Sequence, residues 1–326
     1  MPFDIIDRNI VDMNCDAIVN SANHLVAVGS GVDYQIYQKA GEQLFKAREK
    51  IGVIDYGQAV ITDGYNLAAK KIIHTVSPVY DGTNSCKELL ENCYKNSLRL
   101  AYQNNCKSIA LPLLASGNNG FPKDIALNIA NKAINEFMEN CDEIYIYLIV
   151  YSKKDIFEGL ANEQSINSFI NRNLIHNRNE QIKNFFFSAP APNVEKENCC
   201  VSCDSYCGIV KHESFSESLL RLIDERDLKD SQVYNKANVS RQTFSKIRCN
   251  KNYNPDKNTA LALAIALKLD LNDTQQLIAK AGYVLSDSIE ADLIVKYFIT
   301  QQNYDIIKIN ETLYAYSCKL LGSKMI

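Results

Sequence analysis

The sequence predicts a layered α/β domain over residues 1–160, a linker over 161–212, and an all-helical domain over 213–326. Three observations predict it. Strand-like and helix-like stretches alternate up to about residue 160, which is the pattern of a layered α/β domain. From about Ser152 to His212, Asn, Arg and Ser dominate, with Ala189-Pro190-Ala191-Pro192 in the middle, as in a connecting segment. From Ser214 onward, apolar residues recur at helical spacing. The length of 326 residues fits about two domains at ~150 residues each. Hydrophobic residues at 46% and charged residues at 22% exclude a wholly disordered or collagen-like chain.

The elements follow in order. Ala17 to Asn20 is a short apolar strand that runs into polar residues. Tyr34 to Ala40 reads as a helix. Gln58 to Thr62 and Lys71 to Thr75 are two further strands, with Gly64-Tyr65-Asn66 turning between them. Leu89 to Tyr102 sets Leu89, Leu90, Cys93, Leu98 and Ala101 near helical spacing. Ser108 to Leu114 is a buried-type strand. Pro122 opens a helix over Lys123 to Met138, where its missing N–H costs nothing. Glu143 to Tyr151 is a last apolar, β-rich run.

Charge and cysteine usage narrow the classes. The chain carries 11 Cys, an odd and scattered set that reads as reduced thiols rather than a disulfide framework. A net charge of -3 and a pI near 5.9 give no global case for nucleic acid, so any such case is local. Met1 to Asp7 lacks the basic start and apolar run of a signal peptide. No stretch approaches the ~18 apolar residues of a membrane helix. A cytoplasmic protein is the simplest expectation.

Two segments carry chemistry. The first runs from Asp16-Ala17-Ile18-Val19-Asn20-Ser21-Ala22-Asn23 to Gly29-Ser30-Gly31-Val32-Asp33. It is a strand that opens into a Gly-bearing loop, whose backbone N–H groups can approach an anion. The second, Pro112 to Pro122, is a strand, then Ser116-Gly117-Asn118-Asn119-Gly120-Phe121, then a helix start. A helix N-terminus after such a loop is suited to phosphate. Two such loops on neighbouring strands could clamp a diphosphate. Tight turns without a ligand show the same pattern when each loop is taken alone.

The combination resembles the macrodomain family, the ADP-ribose-binding α/β/α module. The likeness also takes in Lys39-Ala40-Gly41, Tyr56 to Thr62 and Lys71 to Pro78, and covers about half the chain. It implies a three-layer fold on a central mixed sheet. By matched position, Asp16 accepts from the adenine amino group. Asn23 holds the distal ribose. Gly29, Gly31 and Val32 line the first diphosphate loop. Ser116, Gly117, Asn118, Asn119 and Gly120 form the second. Phe121 packs on the distal ribose, and Tyr151 on adenine. Asn23 and Asp33 are the expected catalytic residues, with the Asp33 carboxylate orienting or activating a water; a helix-capping Asp is the competing reading. The implied activity is hydrolysis of an ADP-ribosyl-protein or O-acetyl-ADP-ribose bond. A reader or sensor that binds without cleaving is the alternative. No cofactor or metal is expected.

This chain departs from the hydrolytic branch of that family in three places. Val28 and Ser30 interrupt the Gly run. Tyr37 stands where a His is common. Asn118-Asn119 replaces an aliphatic residue and an aromatic one.

In the linker, Cys199, Cys200, Cys203, Cys207 and His212 supply enough ligands for zinc but not its usual paired spacing. The stretch from about 214 to 285 resembles the Cro/repressor type of helix-turn-helix, with Asn238-Val239-Ser240 in the turn where Gly-Val-Ser is usual. Asn tolerates the left-handed conformation needed there. The resemblance implies a DNA-reading third helix presenting Arg241, Gln242, Thr243 and Lys246 to base edges. DNA is thus an expected partner beside ADP-ribose or an ADP-ribosylated protein. Protein contacts are the competing use of the fold, and a homodimer through the helical tail is a further expectation.

Overall fold

The computed structural model describes residues 3–141, 144–150, 153, 156–157, 160, 163–174 and 213–322. The strands are β1 (Phe3–Asp7), β2 (Ala17–Ser21), β3 (Ala59–Asp63), β4 (Lys71–Thr75), β5 (Ser108–Pro112) and β6 (Tyr145–Val150). They form one six-stranded sheet in the order β1-β6-β5-β2-β4-β3. All neighbours run parallel except β3, which pairs antiparallel with β4. Four helices flank the sheet: α1 (Val32–Ala40), α2 (Glu42–Ile51), α3 (Asn84–Gln103) and α4 (Lys123–Asn140).

Side-chain alternation along the strands builds the layers. Ala17, Val19, Ile73, Ile109, Leu111, Ile146 and Leu148 face one core with α3 and α4. Ile18, Ile72, Ala110, Tyr147 and Ile149 face the other with α1 and α2. The result is the expected three-layer α/β/α arrangement on a mixed sheet.

Two boundaries differ from the sequence expectation, and two elements lie outside it. α3 begins at Asn84 because Thr83 accepts a hydrogen bond from Cys86 N, and its first turn is too polar to show the apolar spacing. Strand β5 ends at Pro112. Leu114 N instead donates to the buried Tyr94 hydroxyl at 2.7 Å, and Ala115 turns the chain with φ +62°. β1 and α2 were not foreseen.

The rest of the described chain is helical. A helix α5 over residues 163–174 lies within the segment expected as linker. Then come α6 (Phe215–Glu225), α7 (Asp230–Lys236), α8 (Arg241–Cys249), α9 (Lys257–Ala266), α10 (Leu271–Lys280), α11 (Glu290–Thr300) and α12 (Ile306–Ala315). Ser214 opens α6 with a full capping box to Glu217, and Ser240 caps α8 through Thr243 N. The cysteine cluster Cys199 to Cys207, and His212, lie outside the described residues. No helix among the described residues is long and apolar enough to cross a membrane.

The helical unit is packed onto the α/β unit through one continuous apolar core. The junction turns on Asn238, which is fully buried and sits at φ +55° between α7 and α8. Its amide treats β1 as a neighbouring strand would. Phe3 N donates to Asn238 Oδ1 at 2.5 Å, and Asn238 Nδ2 donates to Phe3 O at 3.0 Å. The same Nδ2 donates to Leu321 O at 3.3 Å. A Cβ on the adjacent Gly322 would stand 2.3 Å from Ala237 O, so only glycine lets this segment close on the turn. β1 is an edge strand, and these bonds satisfy the backbone groups that an open edge leaves unpaired.

Glycine would suit the φ of Asn238 but carries no amide. Asn238→Gly is therefore expected to lower stability by about 2–4 kcal/mol, read by urea unfolding, through the loss of buried hydrogen-bond partners. An unchanged midpoint would contradict the role given to this amide.

Candidate active site

At the C-terminal ends of the parallel strands the sheet opens into a cleft of about 650 Å³. Such crevices are where open α/β sheets bind ligands. One wall is the loop after β2, from Ser21 to His24 and from Gly29 to Val32. The facing wall is the loop after β5, from Leu113 to Asn119. Ile10, Ile149 and Val150 line the cleft beside the end of β6, while Tyr56, Ser77 and Val79 line it beside β4.

The first loop is held from below by a chain of buried polar groups. Asp33 is 2% exposed and both of its oxygens are engaged. Gly29 N donates to Oδ2 at 2.6 Å, and Asn20 Nδ2 donates to Oδ1 at 2.5 Å. The same Asn20 amide nitrogen lies 3.1 Å from His74 Nδ1, and His74 Nε2 lies 2.9 Å from Thr62 Oγ1. An amide nitrogen only donates, so Nδ1 must be the acceptor. His74 is thereby the neutral tautomer with its proton on Nε2, given to Thr62. Burial lowers the His74 pKa to about 3, in keeping with that assignment. Burial raises the Asp33 pKa, while the Asn20 and Gly29 hydrogen bonds and the Arg48 charge oppose the rise.

Arg48 completes this floor. It is 1% exposed, donates to Gly52 O at 2.8 Å and reaches Asn23 O at 3.5 Å. Tyr37, on the next turn of α1 from Asp33, is buried, and burial pushes its pKa up to about 12. It is a neutral residue of the core beneath the cleft.

The second loop is fixed at its far side. Asn119 Nδ2 donates to Ser77 O at 2.9 Å and to Ser77 Oγ at 3.1 Å, and Tyr80 N donates to Asn119 O at 2.8 Å. Asn118 Nδ2 crosses to the first loop and donates to Ser30 Oγ at 2.6 Å.

Of the residues expected from sequence, Asn23, Gly29, Gly31, Val32, Ser116, Gly117, Asn118 and Asn119 meet at this cleft. Four do not line it. Asp16 precedes β2 and so sits at the opposite end of that strand. There it pairs with Lys70 at 2.7 Å and accepts from Lys107 N at 2.7 Å. The Lys70 hydrogen bond holds its carboxyl below the usual range. The adenine contact expected of Asp16 is thereby corrected: five strand residues at ~3.3 Å each separate it from the cleft. Asp33 lies beneath the loop rather than on the cleft wall. Phe121 is buried and tilts against the Tyr80 ring at 4.9 Å between centroids, as part of the core. Gly120, at φ +72°, closes the loop onto Gly117 O. Tyr151 lies outside the described residues.

Comparison with known proteins agrees with this geometry. The Macro domain model matches residues 19–130. A macro domain-containing protein of Methanosarcina mazei is 42% identical over 152 residues, covering 46% of this chain and 81% of that protein. The chain belongs to the macro domain family. An O-acetyl-ADP-ribose deacetylase of Escherichia fergusonii is 38% identical over 168 residues, covering 49% of this chain and 95% of that protein. The human ADP-ribose glycohydrolase MACROD2 is 43% identical over 132 residues, covering 40% of this chain and 31% of that protein.

Sequence reasoning missed the macro domain's buried chain of Asn20, Thr62, His74 and Arg48. A signal was present. Each is a polar residue at a position whose spacing faces the core: Asn20, Thr62 and His74 are each the next-to-last residue of a strand, and Arg48 lies one turn from the buried Leu44. His24 is also part of the cleft, with its ring stacked 5.2 Å from that of Tyr56.

The His74 assignment fixes a pH dependence. The unfolded chain takes up a proton near pH 6.5, and the folded chain resists it down to about pH 3. Stability should fall as pH drops through that window, by about 1.4 kcal/mol per unit for this group. An NMR titration in which the His74 ring protonates above pH 5 would contradict the neutral assignment.

Proposed function

We propose that the macro domain binds ADP-ribose in this cleft and hydrolyses bonds to its distal ribose, either an ADP-ribosyl-protein bond or the ester of O-acetyl-ADP-ribose. The observation that carries the reading is the pair of facing loops, Gly29–Val32 and Ser116–Asn119. They bring small residues and backbone N–H groups to both sides of one cleft, as a diphosphate requires. The apolar patch of Ile10, Ile149 and Val150 suits a base at one end. The polar end, at Asn23, His24 and Ser77, suits the ribose. The names of the Escherichia fergusonii and human relatives agree with a hydrolase.

In this reading Asn23 touches the reacting sugar. Its Oδ1 accepts from Leu25 N at 3.1 Å, which orients the amide and leaves the Nδ2 donors for a ribose hydroxyl or the attacking water. For the ester, water adds to the acyl carbon and the ester C–O bond breaks. The ribose oxygen leaves with a proton that originates from the water. Asp33 acts through Gly29: it holds the loop, and hence the phosphate and the water, in place.

Incubating the chain with O-acetyl-ADP-ribose and with a mono-ADP-ribosylated protein tests this, with free ADP-ribose as the readout. Asn23→Ala is expected to lower kcat/KM by roughly 10- to 100-fold. Asp33→Ala should weaken ADP-ribose binding as well as turnover. ADP-ribose binding without release from either substrate would make the chain a reader.

A second reading concerns the helical unit. We infer that α8 is a nucleic-acid-facing helix of helix-turn-helix type. Arg241, Gln242 and Lys246 are exposed, and Phe244 and Ile247 anchor the opposite face in the core. Thr243 turns inward, with its Oγ1 2.9 Å from Ser240 Oγ, so it belongs to the cap rather than the outer face. Fluorescence anisotropy with duplex DNA at rising salt tests this. Binding should weaken with salt and weaken further in an Arg241→Ala, Lys246→Ala variant. Equal binding by that variant would remove α8 from the interface.

A further inference from the structure

We propose that Ser30 and Asn118 form a clasp that closes the cleft over its ligand and sets the rate at which the ligand leaves. The inference rests on the ADP-ribose reading above. The two side chains come from opposite loops, both line the cleft, and both are exposed. The Asn118 Nδ2 to Ser30 Oγ hydrogen bond of 2.6 Å joins the two walls across the opening.

Each loop is anchored at the residue next to the clasp. Gly29 is held by Asp33, and Asn119 is held by Ser77. On the far side of Ser30 and Asn118 the surface is open: a Cβ added at Gly31 or Gly117 would meet nothing within 4 Å. The two exposed side chains can therefore turn away from each other while the anchored backbone stays in place. One exposed hydrogen bond is weak enough to break and reform as they rotate.

The chemistry of the pair fits a diphosphate. A carboxamide nitrogen carries two donors, of which Ser30 takes one. The other is available to a phosphate oxygen beneath it, so closure and ligand contact favour each other. Both residues stand where the family pattern has a Gly and an aliphatic residue, which could form no such bond. Ser30 and Asn118 are thus positioning residues. A ligand held under a closed clasp leaves only when it opens, which makes product release the step that limits turnover.

Stopped-flow displacement of bound ADP-ribose from the full chain tests this, with Asn118→Ala, Ser30→Gly, the double variant and Ser30→Thr. Ser30→Gly should raise the dissociation rate about fivefold, the equivalent of one hydrogen bond, and Asn118→Ala by more, because it also removes the phosphate donor. The double variant should match Asn118→Ala, because Ser30→Gly removes only a bond that Asn118→Ala has already lost. Ser30→Thr keeps the hydroxyl and should retain slow dissociation. In steady state kcat and KM should rise together in the single variants, whereas a merely damaged cleft lowers kcat. Unchanged dissociation, or effects that add in the double variant, would overturn the clasp. If the unaltered chain binds no ADP-ribose, the ADP-ribose reading fails, and hydrogen exchange on the ligand-free protein decides the clasp. Faster exchange at the Gly31 and Gly117 amides in both single variants supports it, and unchanged exchange removes it.

Discussion

A carboxylate buried under a loop sets the terms for everything around it. Asp33 is nearly sealed from water, and an ionised carboxylate in that position is costly unless donors surround it. The donors are a loop amide, Gly29 N, and a side-chain amide, Asn20 Nδ2. The same Asn20 amide nitrogen also meets His74 Nδ1. That in turn requires His74 to be neutral with its Nε2 proton directed at Thr62. One charge thus fixes a protonation state on β4, a hydroxyl on β3 and the conformation of a loop after β2. The loop is anchored at Gly29 because the sheet beneath it holds the carboxylate.

The other organising contact lies at the opposite end of the sheet. β1 has a partner only on its β6 side, and Asn238 supplies the missing rung to Phe3. The same residue makes the left-handed turn between α7 and α8. A glycine would satisfy the turn and leave Phe3 unpaired. The choice of Asn therefore records the docking of the helical unit as much as the turn itself. Near this junction Glu311 of α12 is buried, and burial raises its pKa to about 8, so the interface holds a neutral carboxyl at neutral pH. The helical unit and the α/β unit share a single apolar core, which makes the junction part of the fold.

The sheet was legible in the sequence wherever apolar runs were long enough to mark a buried strand, as at β2, β4, β5 and β6. β1 was not, because it is a half-buried edge strand with acidic residues at two of its five positions. Nor was α2, whose inward face includes an arginine at Arg48. The two loops could be read from their glycines and asparagines. The support beneath them could not. Asn20, Asp33, Thr62 and His74 come from four separate segments, and only the sheet register brings them into line. Asp16 shows the converse failure. It adjoins the most recognisable motif in the chain, yet a strand has two ends, and it lies at the one facing away from the cleft.

The departures from the family pattern make sense in pairs. Ser30 in place of a glycine meets Asn118 in place of an aliphatic residue. Asn119, where an aromatic is usual, finds Ser77 just past the end of β4 and ties its loop there. Tyr37, where a histidine is common, is buried beside Asp33 and Arg48 and carries no charge. A cleft losing its function would accumulate polar residues without partners. Here each polar replacement is matched by a partner or by burial, and two of them exchange apolar contact for hydrogen bonds between segments that flank the opening. Apolar contact between loops is non-directional and tolerates sliding, whereas a hydrogen bond has a preferred length and angle. The replacements therefore alter how this cleft closes while leaving its walls where the sheet puts them.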